Sequence, residues 1–213
     1  MSEAVLATCM DENEPADAGC WNPETLGVTG CERCPKLVDS RTRIVDGTGP
    51  ADADLLFVGE APGATEDAEG EPFVGRSGAV LDSGLRDVGL DRTDVRITNC
   101  ARCRPPGNRD PTVDERENCR EYLDREIAAV DPELVVTLGK VPAEHLLRRS
   151  VAVTSEAGEI YDADVGGESR RVLVCVHPAA TLYDPNQQET FGRTLRTAAE
   201  YASDGGQSTL GEF

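Results

Sequence analysis

The chain has little lysine: Lys36 and Lys140 are the only two among 21 Lys and Arg residues. Aromatic residues make up 4 % of it, and there are two histidines. No apolar run approaches the roughly 20 residues that a helix needs to span a bilayer, which excludes a helical membrane protein. The start, Met1-Ser2-Glu3-Ala4, has neither the basic nor the long apolar region of an export signal, so the expected location is the cytoplasm, with no membrane contact. Acid is what the chain has in excess: 40 Asp and Glu give a net charge of -19 over 213 residues. That length suits one domain, burying roughly 70 % of its unfolded surface. So much negative charge argues against a protein that binds nucleic acid through its overall field. Adaptation to multimolar salt, a halophilic trait, gives the same composition, and screening there separates net charge from the choice of partner. The local chemistry has to decide.

Eight cysteines occur in a chain expected to stay reduced, so close spacings point to a metal or to catalysis rather than to disulfides. Cys31-Glu32-Arg33-Cys34 is a CxxC, and Cys103 and Cys119 are the best candidates to complete four ligands. Four thiolates suit zinc or a [4Fe–4S] cluster, and spacing does not choose between them. Cys100 forms a second CxxC with Cys103 and competes for a ligand role. Cys9 and Cys20 lie in an acidic segment, and Cys175 reads as a buried apolar residue within Val172–Val176.

Residues 1–30 carry six acids and no base. Residues 1–28 read as a loosely attached acidic arm, with Trp21 a possible exception, and residues 203–213 read as a tail. Residues 29–202 form the domain. Four short apolar runs, Asp54–Val58, Val95–Thr98, Leu134–Leu138 and Arg171–Val176, alternate with helical stretches near Gly78–Val88, Val113–Val130, Pro142–Arg149 and Gln188–Tyr201. This alternation predicts an α/β fold with a parallel sheet covered on both faces. Ligands in such sheets bind beyond the carboxyl ends of the strands, which marks the loops after Gly59, Asn99, Gly139 and His177.

The first marked loop, Gly59-Glu60-Ala61-Pro62-Gly63 with Glu66-Asp67, is followed by Pro72-Phe73-Val74-Gly75-Arg76-Ser77-Gly78. Its glycines allow close backbone approach, but the spacing matches neither GxGxxG nor a P-loop. Asn99 and His177 each fall at a strand end. With Phe73 they form a set able to bind a planar heterocycle: the amide reads its edge, the ring stacks and the imidazole donates to a carbonyl. Singly each residue has a plainer role, as a turn former, a loop histidine or a core phenylalanine, and Glu60 and Glu66 are two acids among many.

Together these segments, with Ile97-Thr98-Asn99, Cys103-Arg104-Pro105-Pro106, Asn108-Arg109 and His177-Pro178-Ala179, resemble the family 4 uracil-DNA glycosylases, the iron–sulfur type, from about Cys31 to Tyr201. The resemblance implies a three-layer α/β/α fold around a short four-stranded parallel sheet. It also implies a [4Fe–4S] cluster on Cys31, Cys34, Cys103 and Cys119, which demotes Cys100. The implied reaction is hydrolysis of the N-glycosidic bond of deoxyuridine in DNA after base flipping, which leaves an abasic site and initiates base excision repair. Phe73 would stack on uracil, and Asn99 would pair with N3–H and O4, which rejects cytosine. His177 would donate to O2 as uracil leaves. Glu60 would stabilise the sugar cation or orient water, and Glu66 would line the pocket; which acid does which is open. Gly59 and Ala61 belong to the same substrate-binding loop.

DNA contact would come from the Gly63, Arg76 and Ser77 loops, from Arg102, Arg104 and Arg109, and from a wedge of Leu182 and Tyr183. Where relatives commonly carry an arginine after the wedge, this chain has Ala180-Thr181-Leu182-Tyr183-Asp184, which puts phosphate gripping there in doubt. From Arg96 to Arg109 there are four arginines and no acid, so a small neutral-to-basic rim is expected, with a shallow salt dependence of binding. The implied partner is single- or double-stranded uracil-containing DNA, met by a monomer; a sliding-clamp partner is left open. Two alternatives remain at this stage: a non-catalytic iron–sulfur DNA-binding module of the same fold, and a zinc-bearing nucleotide hydrolase.

Overall fold

A computed structural model of the chain describes residues 19–204. Most of the acidic arm, with Cys9, and the tail beyond Asp204 lie outside the described residues. A hairpin of β1 (Cys20–Asn22) and β2 (Gly27–Thr29) leads to α1 (Pro35–Ser40). Then come β3 (Leu55–Gly59), α2 (Ala64–Glu69), α3 (Arg76–Asp87), β4 (Arg96–Asn99) and α4 (Val113–Val130). The chain continues through β5 (Leu134–Leu138), α5 (Lys140–Leu147), α6 (Val153–Glu156), β6 (Ile160–Val165), β7 (Glu168–Cys175) and α7 (Pro185–Asp204).

The central sheet has the order β4-β3-β5-β7-β6. The four expected strands are all present and mutually parallel, and β6 adds an antiparallel edge against β7, so the sheet has five strands rather than four. Successive residues of each parallel strand face opposite layers. Leu55, Phe57, Val136 and Leu173 pack on Leu81 and Leu85 of α3 and on Phe191 and Leu195 of α7. Leu56, Val58, Val135 and Val172 pack on Leu123 and Ile127 of α4 and on Leu146 of α5. Burial on both sides explains why these strands are continuously apolar in sequence. No helix among the described residues is long and apolar enough to cross a membrane.

The longer helices begin close to where the sequence placed them. At α4 the hydroxyl of Thr112 accepts the Glu115 amide at 3.2 Å while the Glu115 carboxylate accepts the Thr112 amide at 2.8 Å, a reciprocal cap that fixes the start. Helix α7 is longer at both ends than Gln188–Tyr201.

The boundary of the arm is corrected. Residues 19–28 pack on the domain: Leu26 and Val28 are buried, Gly19 donates its amide to the Tyr122 hydroxyl at 2.9 Å, and Val28 donates to Asp46 at 3.0 Å. Arg102 joins this packing by donating to the Leu26 carbonyl at 3.1 Å and lying 5.3 Å over the Trp21 ring.

Candidate active site

Strands β3 and β4 end side by side, with Gly59 opposite Asn99. Pairing continues past both ends, because Cys100 donates to the Gly59 carbonyl at 2.9 Å and Ala101 donates to the Glu60 carbonyl at 3.0 Å. Beyond β7, His177 comes against the loop that follows β5: a side chain at Gly139 would start 3.2 Å from the His177 Cβ. These ends and the two Gly-rich loops enclose a cavity of about 510 Å³. Glu60, Ala61, Gly63, Glu66, Phe73, Arg76, Ser77, Asn99, Arg109 and His177 all line it. Gly59 does not itself line the cavity but lies against two residues that do: a Cβ there would collide with both the Asn99 side-chain amide oxygen and the Phe73 ring.

Phe73 is held in an unusual way. Its backbone is left-handed, with φ of 54°, which strains a bulky residue. Its carbonyl occupies the space where a Gly78 side chain would be, so only glycine fits there. Arg92 clamps the loop by donating to the carbonyls of Pro72 and Phe73, the latter at 3.0 Å, while pairing with Glu71 and Asp82, each at 3.0 Å. The ring thereby sits with its centroid 6.0 Å from that of His177, tilted by 35°.

The glutamates separate by environment. Glu66 accepts the Gly63 amide at 3.1 Å and the Gly75 amide at 3.4 Å, so its carboxylate ties the two loops together. The Gly63 amide, expected to face DNA, is therefore occupied. Glu60 instead shares the cavity wall with a second acid, Asp110. Burial first, and then the charge and hydrogen bond of Asp110, push Glu60 up to about 7, while Arg116 pulls the other way. The His177 Nδ1 accepts the Ala179 amide at 3.1 Å, which leaves Nε2 to carry the proton of the neutral ring. Burial lowers the pKa of His177, opposed by the charge of Glu66.

The arginines are the main correction. Arg102, expected on DNA, is 2 % exposed and donates to Glu126 at 2.7 Å and to Asp46 at 2.5 Å. Arg96 is also buried and pairs with Glu126 at 2.7 Å. Arg109 does line the cavity, but it forms a bidentate pair with Glu115 at 2.8 and 2.6 Å. Arg104 is half-buried and donates to Asn108 at 2.7 Å. Two of the four arginines in the supposed rim are thus internal, because one buried carboxylate, Glu126, 30 residues beyond Arg96 and 24 beyond Arg102, holds them both. Arg76, by contrast, is exposed at the first turn of α3. Leu182 and Tyr183 are 41 % and 78 % exposed, unusual for large apolar residues and compatible with a wedge.

Sequence reasoning passed over Asp110 and Arg92. The only sequence signal for Asp110 was its place beside Asn108-Arg109; Arg92 gave none, since its partners are up to 21 residues away.

Cys31, Cys34, Cys103 and Cys119 line a common pocket, with Arg41 donating to the Cys103 sulfur at 3.0 Å and Asn118 to the Cys34 sulfur at 3.5 Å. Among the described residues, no three His, Cys, Asp or Glu side chains are grouped as a site for a metal ion. The donor set itself, four thiols on three separate segments steadied by N–H donors, has the chemistry of a cluster site. Cys100 is fully buried against Leu56 and Val58 and does not line that pocket.

Residues 47–199 match the sequence profile of the uracil DNA glycosylase superfamily. The type-4 uracil-DNA glycosylase of Archaeoglobus fulgidus is 38 % identical over 81 % of this chain and 88 % of its own. That of Sulfurisphaera tokodaii is 38 % identical over 87 % of this chain and 86 % of its own. The corresponding enzyme of Saccharolobus solfataricus is 38 % identical over 83 % of each. With this extent of likeness, and strand ends that bring the recognised motifs around one cavity, the chain belongs to the type-4 group of the uracil DNA glycosylase superfamily.

Proposed function

We propose that this protein removes uracil from DNA by hydrolysing the N-glycosidic bond of a flipped deoxyuridine, the first step of base excision repair. The observation that carries the reading is the convergence of Phe73, Asn99, His177 and Glu60 on one cavity from three strand ends and a Gly-rich loop. A base inside a duplex is out of reach of such a recess, so the nucleotide must turn out of the stack. Phe73 stacks on the ring. Asn99 matches uracil at N3–H and O4, where cytosine presents the opposite pattern. His177 offers Nε2–H to O2, where negative charge grows as uracil leaves. Glu60 faces the sugar side, where a carboxylate stabilises oxocarbenium character and takes the proton of water.

Cys31, Cys34, Cys103 and Cys119 hold a [4Fe–4S] cluster in this reading. Such a cluster would supply a cross-link between the segment after the hairpin, which carries Cys31 and Cys34, the loop after β4, which carries Cys103, and α4, which carries Cys119. Leu182 and Tyr183 enter the helix where the nucleotide leaves it, and Arg76, Ser77 and Arg104 meet phosphates. The excess of acid reflects solvation in concentrated salt.

The test is a uracil-containing oligonucleotide, incubated with protein and cleaved with alkali at the abasic site. Wild type should give strand breakage, and Asn99→Ala and His177→Ala should slow it severely. Absence of breakage at every salt concentration, or unchanged rates in both variants, refutes the reading. A brown preparation that loses its visible absorption in the four Cys→Ser variants supports the cluster.

A further inference from the structure

Asp67, the neighbour of Glu66 on α2, does not line the cavity. Its buried carboxylate instead accepts the amides of Thr42 at 2.8 Å and Arg43 at 3.3 Å. On one side of these residues the Arg41 amide donates to the Leu37 carbonyl at 2.8 Å, which closes α1. On the other, the Val45 amide donates to the Arg102 carbonyl at 2.8 Å, next to Cys103. The segment is thus fixed along its length, and from it the Arg41 guanidinium reaches two cysteines. It donates to the Cys31 carbonyl at 2.7 Å and to the Cys103 sulfur at 3.0 Å.

Arg41 differs from the arginines around it in how its charge is met. Arg33 pairs with Glu121 at 3.0 Å and Arg102 with Glu126 at 2.7 Å. Among the described residues Arg41 forms no ion pair with a carboxylate, although the chain holds 40 Asp and Glu. A half-buried guanidinium calls for an anion at contact distance, and the group placed there is the Cys103 sulfur. The other donor to a sulfur, the Asn118 amide on Cys34, is neutral and longer, at 3.5 Å.

Resting on the cluster reading above, we propose that Arg41 is a positioning residue of the cysteine site: it supplies the counter-charge of the Cys103 thiolate and locks that ligand against the Cys31 segment. A charge-assisted N–H donor draws electron density from the sulfur, which then shares less with iron. The same contact steadies the start of the loop whose Pro105, Asn108 and Arg109 line the cavity. Asp67 holds Arg41 in place through the Thr42 and Arg43 amides, so adjacent acids on α2 serve the two sites, Glu66 the cavity and Asp67 the cysteines.

The experiment uses the full chain purified without oxygen, as wild type, Arg41→Ala and Arg41→Lys. Resonance Raman spectra read the terminal iron–sulfur stretch, and the decay of visible absorption in excess iron chelator reads cluster loss. In Arg41→Ala the stretch should move to higher frequency, and loss should be at least about tenfold faster. Arg41→Lys keeps the charge but cannot span carbonyl and sulfur, so it should show a smaller shift in the same direction; it carries the test if Arg41→Ala takes up no cluster. Arg43→Ala, on the same segment but donating to the Glu69 carbonyl, should change neither reading. A stretch that stays at the wild-type frequency in every loaded variant overturns the proposal. Faster loss with an unmoved stretch does so too, since that is what a purely structural contact gives. A colourless wild type removes the cluster reading and the proposal together, whereas a coloured wild type with unmoved variants sinks only the role of Arg41.

Discussion

The Nδ1 atom of His177 accepts the backbone amide of Ala179 at 3.1 Å, at the start of the turn that carries Leu182 and Tyr183. One hydrogen bond therefore fixes the tautomer of the imidazole and ties its orientation to the wedge. Removing the donor by His177→Ala should slow uracil release on the order of 100-fold. Burial lowers the pKa of this ring, against the charge of Glu66, and so favours its neutral form. The shape of the pH–rate profile above about pH 6.5 should accordingly survive the substitution. Single-turnover rates across pH check both points.

Gly59 leaves room for two residues that line the cavity, Asn99 and Phe73. A methyl group there collides with Asn99 and Phe73 at once, so Gly59→Ala should displace the recognition pair and lower the rate on the order of 100-fold. Far-UV circular dichroism should still report the native sheet, since the change lies at a strand end.

Arg92 reaches no substrate yet anchors Phe73 in its strained turn. Arg92→Ala removes charge-assisted bonds of about 1.5–3 kcal/mol each, and KM for a uracil oligonucleotide should rise more than kcat falls. Arg92→Lys should restore little, because an ammonium cannot span two carbonyls and two carboxylates as a planar fork does.

The raised pKa of Glu60 has a cost in stability with a definite sign. Between about 4.5 and 7 the folded protein holds a proton that the unfolded chain has lost, so this group's contribution to stability falls as pH rises through that window. Glu60→Gln should therefore raise the thermal midpoint relative to wild type more at pH 8 than at pH 5. Calorimetry at the two pH values, in matched salt, reads the difference; an equal shift at both contradicts the assignment.

Arg102 and Arg76 should behave oppositely. Arg102→Ala leaves the buried Glu126 short of a partner and should destabilise the fold by about 3–5 kcal/mol without altering DNA affinity per folded molecule. Arg76→Ala should leave stability nearly unchanged and reduce the slope of log K against log salt by about 1. The wild-type slope should itself be shallow, since most arginines near the cavity already have carboxylate or carbonyl partners. Denaturation and salt-titrated DNA binding separate the two cases.

What the sequence determined was local or strongly periodic. Apolar runs of strand length between helical patterns fix a parallel sheet, because only a strand buried on both faces has no use for alternation. The strand-end rule then placed Asn99 and His177 at the carboxyl edge of the sheet, where both line one cavity. β6 escaped because Asp162 and Asp164 alternate with half-buried neighbours on a sheet edge, which reads as polar loop. The hairpin escaped because acids around it mask two buried side chains, Leu26 and Val28.

Tertiary structure decided everything that depends on pairing across long separations. A run of arginines reads as a basic rim in sequence, yet Glu126 and Asp46 draw Arg96 and Arg102 inside, since a buried guanidinium needs its carboxylate at contact distance. Likewise the sequence offered Glu60 and Glu66 as equivalents. Only the fold brought backbone amides to one and a second carboxyl to the other, because proton affinity follows the groups within a few ångström rather than position along the chain.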